Sequence, residues 1–437
     1  MKFNLLLSSM AGLIFIAALP AHAQQQAIVW TLTSSVQRTL SLAPELRATD
    51  AEIAARAGDL TQAEAWPNPT VALRADGKMD ADNGQRGSYD FNQVTVTQAL
   101  PLGRMQPQRR VALASLEAAR AEKNNQQLLL ETKVAHAYHT LQLTAERQRL
   151  AQQRLAFAEA LPQRDNRSGK DLLVRYLSPL EHARLDMLRA TAHQDVALAE
   201  GKWSEALAQF RTLLALPPDA IPETTRLVPI DAPSQLGTLL DKIETHPALQ
   251  ATQRTRDASL ATIDLARAQR FSDPEVSVFV ERDNLNGARR NYSGIMLGVA
   301  IPLGNNSKGH IARARGEADK AEAMLEVQRR DLSSRLRQAH LHLGHLIEQS
   351  AHHHTHLLQP ARRVLDLTRR GYFSGEQNGL ALIEASNTYF DAEARYLELL
   401  RDAWIEAAEL RLAAGIALGD STVFSSPEPT HIKGTQP

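Results

Sequence analysis

Ala99-Leu100-Pro101-Leu102-Gly103 returns later in the chain as Ala300-Ile301-Pro302-Leu303-Gly304. Two further echoes accompany it. Trp66-Pro67-Asn68-Pro69-Thr70-Val71 answers to Phe271-Ser272-Asp273-Pro274-Glu275-Val276, and Ala43-Pro44-Glu45-Leu46 to His246-Pro247-Ala248-Leu249. All three pairs lie about 200 residues apart, far beyond the period of a solenoid, so the chain holds one unit twice. Around each copy the order is helix, hairpin, long helix, turn, second helix.

In the first copy Leu32 to Ala65 is rich in Ala, Glu, Arg and Gln and reads as an opening helix, stopped by Pro67 and Pro69. Thr70 to Ala75 alternates polar and apolar residues as a half-buried strand does. Lys78 to Ser88 is a polar loop, and Tyr89 to Leu100 is the returning strand. Gln108 to Leu161 then runs without Pro or Gly, a rod of roughly 80 Å at the α-helical rise. In the second copy Glu275 to Glu281 alternates strictly, with Val276, Val278 and Val280 on one face. Asp283 to Asn291 reads as the loop, and Ser293 to Ile301 as the partner strand. A second rod covers about His310 to Arg370, with a kink expected at Pro360. Tyr89, Phe91, Phe279 and Tyr292 are expected near strand ends, where an aromatic girdle would sit.

The N-terminus has the form of an export signal: Lys2, an apolar run from Leu5 to Leu19, and Ala21-His22-Ala23 ahead of Gln24. That run is about 15 residues, too short to cross a bilayer as a helix. The chain has no cysteine, so disulfides, thiol chemistry and acylation of a mature N-terminal cysteine are not expected. Forty-nine basic residues balance forty-nine acidic ones, so no overall field draws nucleic acid. The expected division is a signal peptide over 1–23, a first repeat over 24–235 with its hairpin at 70–100, a second over 236–420 with its hairpin at 275–301, and a disordered tail over 421–437. Five prolines from Pro217 to Pro233 mark the connector.

Four strands of about ten residues cannot close a barrel, and an open edge is not tolerated in hydrocarbon, so closure needs neighbouring chains. Two chains would give eight strands and a filled interior, three would give twelve and a conducting one. A soluble sandwich capping a coiled coil is the alternative.

Read in order, Leu40-Ser41-Leu42-Ala43-Pro44-Glu45-Leu46-Arg47, Trp66-Pro67-Asn68-Pro69, Pro101-Leu102-Gly103-Arg104 and Ile301-Pro302-Leu303-Gly304-Asn305-Asn306-Ser307-Lys308-Gly309-His310-Ile311-Ala312 make the chain resemble the TolC-like outer-membrane efflux proteins, closest to the CzcC-type heavy-metal branch. The resemblance implies a mainly α protein with a membrane β-barrel part: a homotrimer sharing one twelve-stranded barrel in outer-membrane lipid, continued by a periplasmic α-helical tunnel. It implies a periplasmic adaptor and an inner-membrane pump, RND type in this branch, as partners, with passive conduction through the channel. It also implies helix-to-helix tips. Arg370 to Gly379 fits one, with Gly375, Glu376, Gln377 and Asn378 as adaptor contacts. Asn166 to Asp171 fits the other, with Gly169 and Lys170, although Pro162 and a missing aromatic depart from the pattern. Glu384 stands where relatives carry gate carboxylates; a solvated helix charge is the plainer alternative.

Seven of fifteen histidines fall between His340 and His356. His342, His345, His352 and His356 share a stripe, and the last two have the i, i+4 spacing that chelates divalent metals, so metal contact and a solvated or inter-helix stripe both stand. No nucleophile, phosphate-loop or HExxH motif appears; neither an enzyme nor a cofactor is expected. Transport of metal cations or small organic compounds is the leading reading. The outer duct of a type I secretion system and a non-conducting periplasmic scaffold are the alternatives.

Overall fold

Proline placement cuts the helices. In the computed structural model, which describes residues 29–76, 90–161, 178–285, 288–302 and 307–419, the opening helix is two. α1 spans Leu32–Leu42 and α2 Pro44–Glu64. Ala43, which precedes a proline, is pushed to ψ 121°, and Pro44 starts the next helix at a position where its missing N–H costs nothing. The second copy obeys the same rule: His246 precedes Pro247, and α6 runs Pro247–Ala268. The leucine two residues after each proline is the anchor, since Leu46 and Leu249 are both buried. The signal segment 1–23, the loop Lys78 to Ser88, the first tip with Gly169 and Lys170, and the tail 421–437 lie outside the described residues.

Each hairpin is spliced between two helices that pack on each other. A two-residue β1 (Val29–Trp30) precedes α1, and β2 (Thr70–Asp76) and β3 (Asp90–Ala99) follow α2. The 55-residue α3 (Met105–Glu159) comes next and accepts Pro107 in its first turn. α4 (Pro179–Leu213), the short β4 (Glu223–Thr224) and α5 (Leu236–Leu240) complete the first half and the connector. After α6 come β5 (Glu275–Leu285), β6 (Ala288–Gly298) and α7 (Lys308–His353); a π-helical turn (His354–Leu358) leads into α8 (Gln359–Ser374) and α9 (Gly379–Ala414). α3 packs against α2, α6, α4 and α9, while α7 packs against α6 and α9.

The two hairpins join into one antiparallel sheet of order β2-β3-β5-β6. Thr97 stands opposite Ser277 with their hydroxyls 2.8 Å apart. The base of the junction is tied by the Leu100 amide donating to the Pro274 carbonyl at 2.7 Å and by Arg104 on Asp273 at 2.6 Å. The repeated motifs at 99–104 and 271–274 thus meet each other. The second strand pair is longer than its alternation foretells, because β5 and β6 continue into the polar stretch, residues 283–285 pairing with 288–290 and Asp283 in register opposite Arg290. Phe279 is therefore mid-strand rather than at a strand end, and its ring covers Gly294, where an added Cβ would lie 2.7 Å from Cζ. β6 also stops at Gly298, short of the expected Ile301.

The register gathers Val71, Leu73, Val94, Val96, Val276, Val278, Val280, Ile295 and Leu297 onto one face. Eight of these nine are exposed, a contiguous apolar surface much larger than single scattered residues would make. Among the described residues β2 and β6 each leave one edge without a partner. Among the described residues no helix is long and apolar enough to cross a membrane.

The helical core is a chain of clusters rather than one mass. Leu325, Leu332, Leu336 and Leu343 of α7 meet Leu399, Ala403, Ala407 and Leu410 of α9 near α6. Tyr138, Leu141, Leu207 and Phe210 bind α3 to α4. At the far end Ala158, Leu185, Leu188, Leu365, Tyr372 and Leu382 draw α3, α4, α8 and α9 together. Each fully buried Leu contributes roughly 1.5–3 kcal/mol, so a series of small clusters suffices to hold long helices side by side.

Candidate functional site

The turn between α8 and α9 is built around one left-handed residue. Gly375 has φ +81° and open space around its α-carbon, so the demand for glycine there is a backbone demand. The Glu376 and Gln377 amides both donate back to the Gly371 carbonyl, at 2.8 and 3.0 Å, closing the helix end as a Schellman turn does. Gly371 serves differently: it is helical, and the Gln377 side chain lies where a Cβ would sit, 2.7 Å from Cγ. Gly379 opens α9 with only ordinary contacts at its α-carbon. Of the three glycines in this turn, only Gly375 takes a positive φ. Phe373 to Asn378 are exposed, but Asn378 already spends its Oδ1 on the Ala381 amide at 2.9 Å as the N-cap of α9.

The start of α4 supports this turn. Ser178 and Glu181 form a reciprocal capping box, the Ser178 Oγ accepting from the Glu181 amide at 3.2 Å and the Glu181 carboxylate from the Ser178 amide at 3.1 Å. The Glu181 carboxylate also borders the buried Tyr372, whose phenol is pushed up first by burial and then by that negative charge. Glu384 sits one turn into α9 on its exposed side, away from the buried Leu382 and Ala385. Higher up, Arg154 of α3 reaches Asp195 of α4 at 2.8 Å and Asn387 of α9 at 2.7 Å, cross-linking three helices.

The histidine stretch divides into inward and outward members. The His340 Nε2 meets the Ser234 carbonyl at 3.0 Å, His342 pairs with Glu406 at 2.9 Å, and the His353 Nε2 meets the Ala392 carbonyl at 2.8 Å. His354 lies on Tyr396, ring centroids 5.1 Å apart. His345, His352 and His356 are exposed, and the last two rings approach to 4.6 Å. Among the described residues no group of three or more His, Cys, Asp and Glu side chains is placed to hold a metal ion. The kink expected at Pro360 takes the form of the π turn just before it, where the Gln359 amide reaches back to His354. In a regular α-helix Pro360 would collide with the carbonyl four residues earlier, and the wider turn relieves this.

A polar clasp escaped the sequence reading. The Tyr138 hydroxyl donates to the Trp30 carbonyl and contacts the Thr225 hydroxyl, both at 2.9 Å, while the Gln142 amide donates to the Thr225 carbonyl at 2.8 Å. His139 bonds Gln142 at 2.8 Å and stacks on Trp404, whose indole N–H donates to the Val228 carbonyl at 2.7 Å. These bonds strap the proline-rich connector and β1, which pairs with β4, against α3 and α9. Isolated polar residues on a long helix carry no spacing signal, so only the fold brings them together.

Burial drives the His139 pKa down to about 4, against a partly offsetting bond from Gln142. An unfolded chain would protonate that ring near pH 6.5 and the folded one only near 4, so stability falls as pH drops through this window. The total loss is about 3 kcal/mol. Denaturant midpoints measured from pH 7.5 to 4 should therefore fall less steeply in His139→Gln; an unchanged acid loss in that variant would refute the assignment.

Known proteins share this architecture. The solved structure of CusC, described in connection with folding and transmembrane channel formation, superposes with a TM-score of 0.72 at 16% identity, covering 89% of this chain and 93% of that one. At that identity the likeness is of fold. By sequence the chain is similar to the cobalt-zinc-cadmium resistance protein CzcC of Cupriavidus metallidurans, 22% identical over 84% of this chain and 86% of that one. It is also similar to the pyoverdine export outer membrane protein OpmQ of Pseudomonas aeruginosa, 24% identical over 71% of this chain and 64% of that one. Residues 35–216 and 241–416 match the family model of the outer membrane efflux protein, and the chain belongs to that family.

Proposed function

We propose that this outer-membrane efflux channel is a homotrimer in which three four-stranded sheets close one twelve-stranded barrel, continued by a helical tunnel into the periplasm. The observation that carries the reading is the sheet itself: a continuous exposed apolar face with, among the described residues, an unpaired strand at each edge. Such edges persist in hydrocarbon only if another chain closes them. The long helices flanking each hairpin then extend the wall on one side of the membrane.

In this reading the channel passively carries divalent metal cations or small organic compounds, delivered by an RND-type inner-membrane pump through a periplasmic adaptor that docks on the α8–α9 turn. Relatives named for cobalt, zinc and cadmium resistance and for pyoverdine export support both cargo classes. Export removes residues 1–23, and the mature chain starts at Gln24 without lipid.

The test is expression in a host lacking its own channel of this kind, together with the cognate adaptor and pump. The expected result is outer-membrane recovery of a heat-modifiable trimer beginning at Gln24, with raised tolerance to cobalt, zinc or cadmium, or to an organic compound, that vanishes when the pump is inactivated. A soluble monomer, or tolerance independent of the pump, would overturn the reading.

A further inference from the structure

We propose that His352 and His356 form a bidentate site for a divalent transition-metal ion, built onto the π turn that interrupts the α7–α8 helix. Four histidines fall within residues 352–356, and the fold sorts them. His353 and His354 point at α9, one bonded to the Ala392 carbonyl at 2.8 Å and the other lying on Tyr396. They fasten the turn. His352 and His356 remain exposed, with ring centroids 4.6 Å apart and planes inclined at 37°.

The π turn accounts for that closeness. Four residues of a regular α-helix overshoot one full turn by about 40°. The wider turn over His354–Leu358 takes part of that rotation back and brings His356 more nearly above His352. One ion bound at the usual metal–nitrogen distance of about 2.0–2.1 Å holds two imidazole nitrogens about 3 Å apart. Rings already this close reach that separation by turning about their outer torsions. Neutral imidazole selects zinc, copper, nickel and cobalt over magnesium and calcium, and water completes the coordination. A bound ion would bridge α7 to the π turn and stiffen the segment next to Pro360. This inference rests on the chain's own residues and holds whatever the channel exports.

The test uses the full trimeric channel purified in detergent, titrated calorimetrically with Ni²⁺ or Zn²⁺, with Cu²⁺ as an electron paramagnetic resonance probe. The expected result is one saturable site per chain, a Cu²⁺ spectrum with two-nitrogen coupling, and slowed amide exchange over residues 354–358 when metal is present. His352→Ala and His356→Ala should each weaken binding at least about tenfold, since even loss of a supporting partner of a metal ligand costs that much. His345→Ala, on the same exposed stripe, should bind as the parent does. Undiminished affinity in the double variant, equal loss in His345→Ala, or single-nitrogen coupling would overturn the site. Metal tolerance of cells is read separately, so failure of this site leaves the cargo reading standing, and failure of the cargo reading leaves the site.

Discussion

Val278→Arg is expected to remove the trimer from the outer membrane, whereas Met296→Arg is expected to leave it there. The two side chains are equally exposed in the single chain, each at 52%, so exposure cannot distinguish them. The sheet can. Val278 stands opposite Val96 and Ile295 on the apolar face, the face proposed to meet lipid. Arginine near the bilayer midplane on a barrel's lipid side costs about 2–4 kcal/mol per chain. Met296 lies on the other face, opposite Ser277, the face proposed to line the water-filled interior, and an exposed substitution there should change stability by about 0.5 kcal/mol or less. Alternation alone suggests Ser277 as the tolerant control, but its hydroxyl is committed to Thr97 and the residue is buried. Heat-modifiable trimer in outer-membrane fractions is the readout, and equal recovery of both variants would refute the assignment of faces.

Gly375→Val is expected to abolish efflux while trimer, barrel and outer-membrane recovery stay at parental levels. At φ +81° an L-residue is strained by roughly 1–2 kcal/mol, more for a β-branched one. The turn can escape the strain only by giving up the bonds from the Glu376 and Gln377 amides to Gly371. That would displace Glu376, Gln377 and Asn378, the groups proposed to contact the adaptor. Gly375→Asn is the companion variant, because Asn visits the left-handed region readily, and it should retain most efflux and adaptor cross-linking. Normal efflux in the valine variant would show the turn to be an inert loop, and loss in both variants alike would point to the side chain's size rather than the backbone.

Much of the architecture was legible because it depends on local rules. Helix starts follow prolines 44 and 247, a π turn precedes Pro360, and strand character in 275–281 follows period-two alternation. Polarity misled in one place: the polar stretch 283–291 looks like a loop, but residues 283–285 pair with 288–290 across the hairpin, since cross-strand partners can hold a polar ribbon that no single strand would suggest. Glu384 shows the opposite limit. The sequence places it near the tip, and in the single chain it is simply exposed.

Sequence by itself determined the duplication, the order of helices and hairpins, and the family, because repetition, proline positions and hydrophobic period are properties of neighbours along the chain. Tertiary structure alone decided that the two hairpins share one sheet through Thr97 and Ser277, that His139 is neutral beneath Trp404, and that four adjacent histidines split into two that anchor and two that face outward. Those outcomes depend on contacts between residues far apart in sequence, or on the rotation of a helix against its neighbour. A linear pattern records neither.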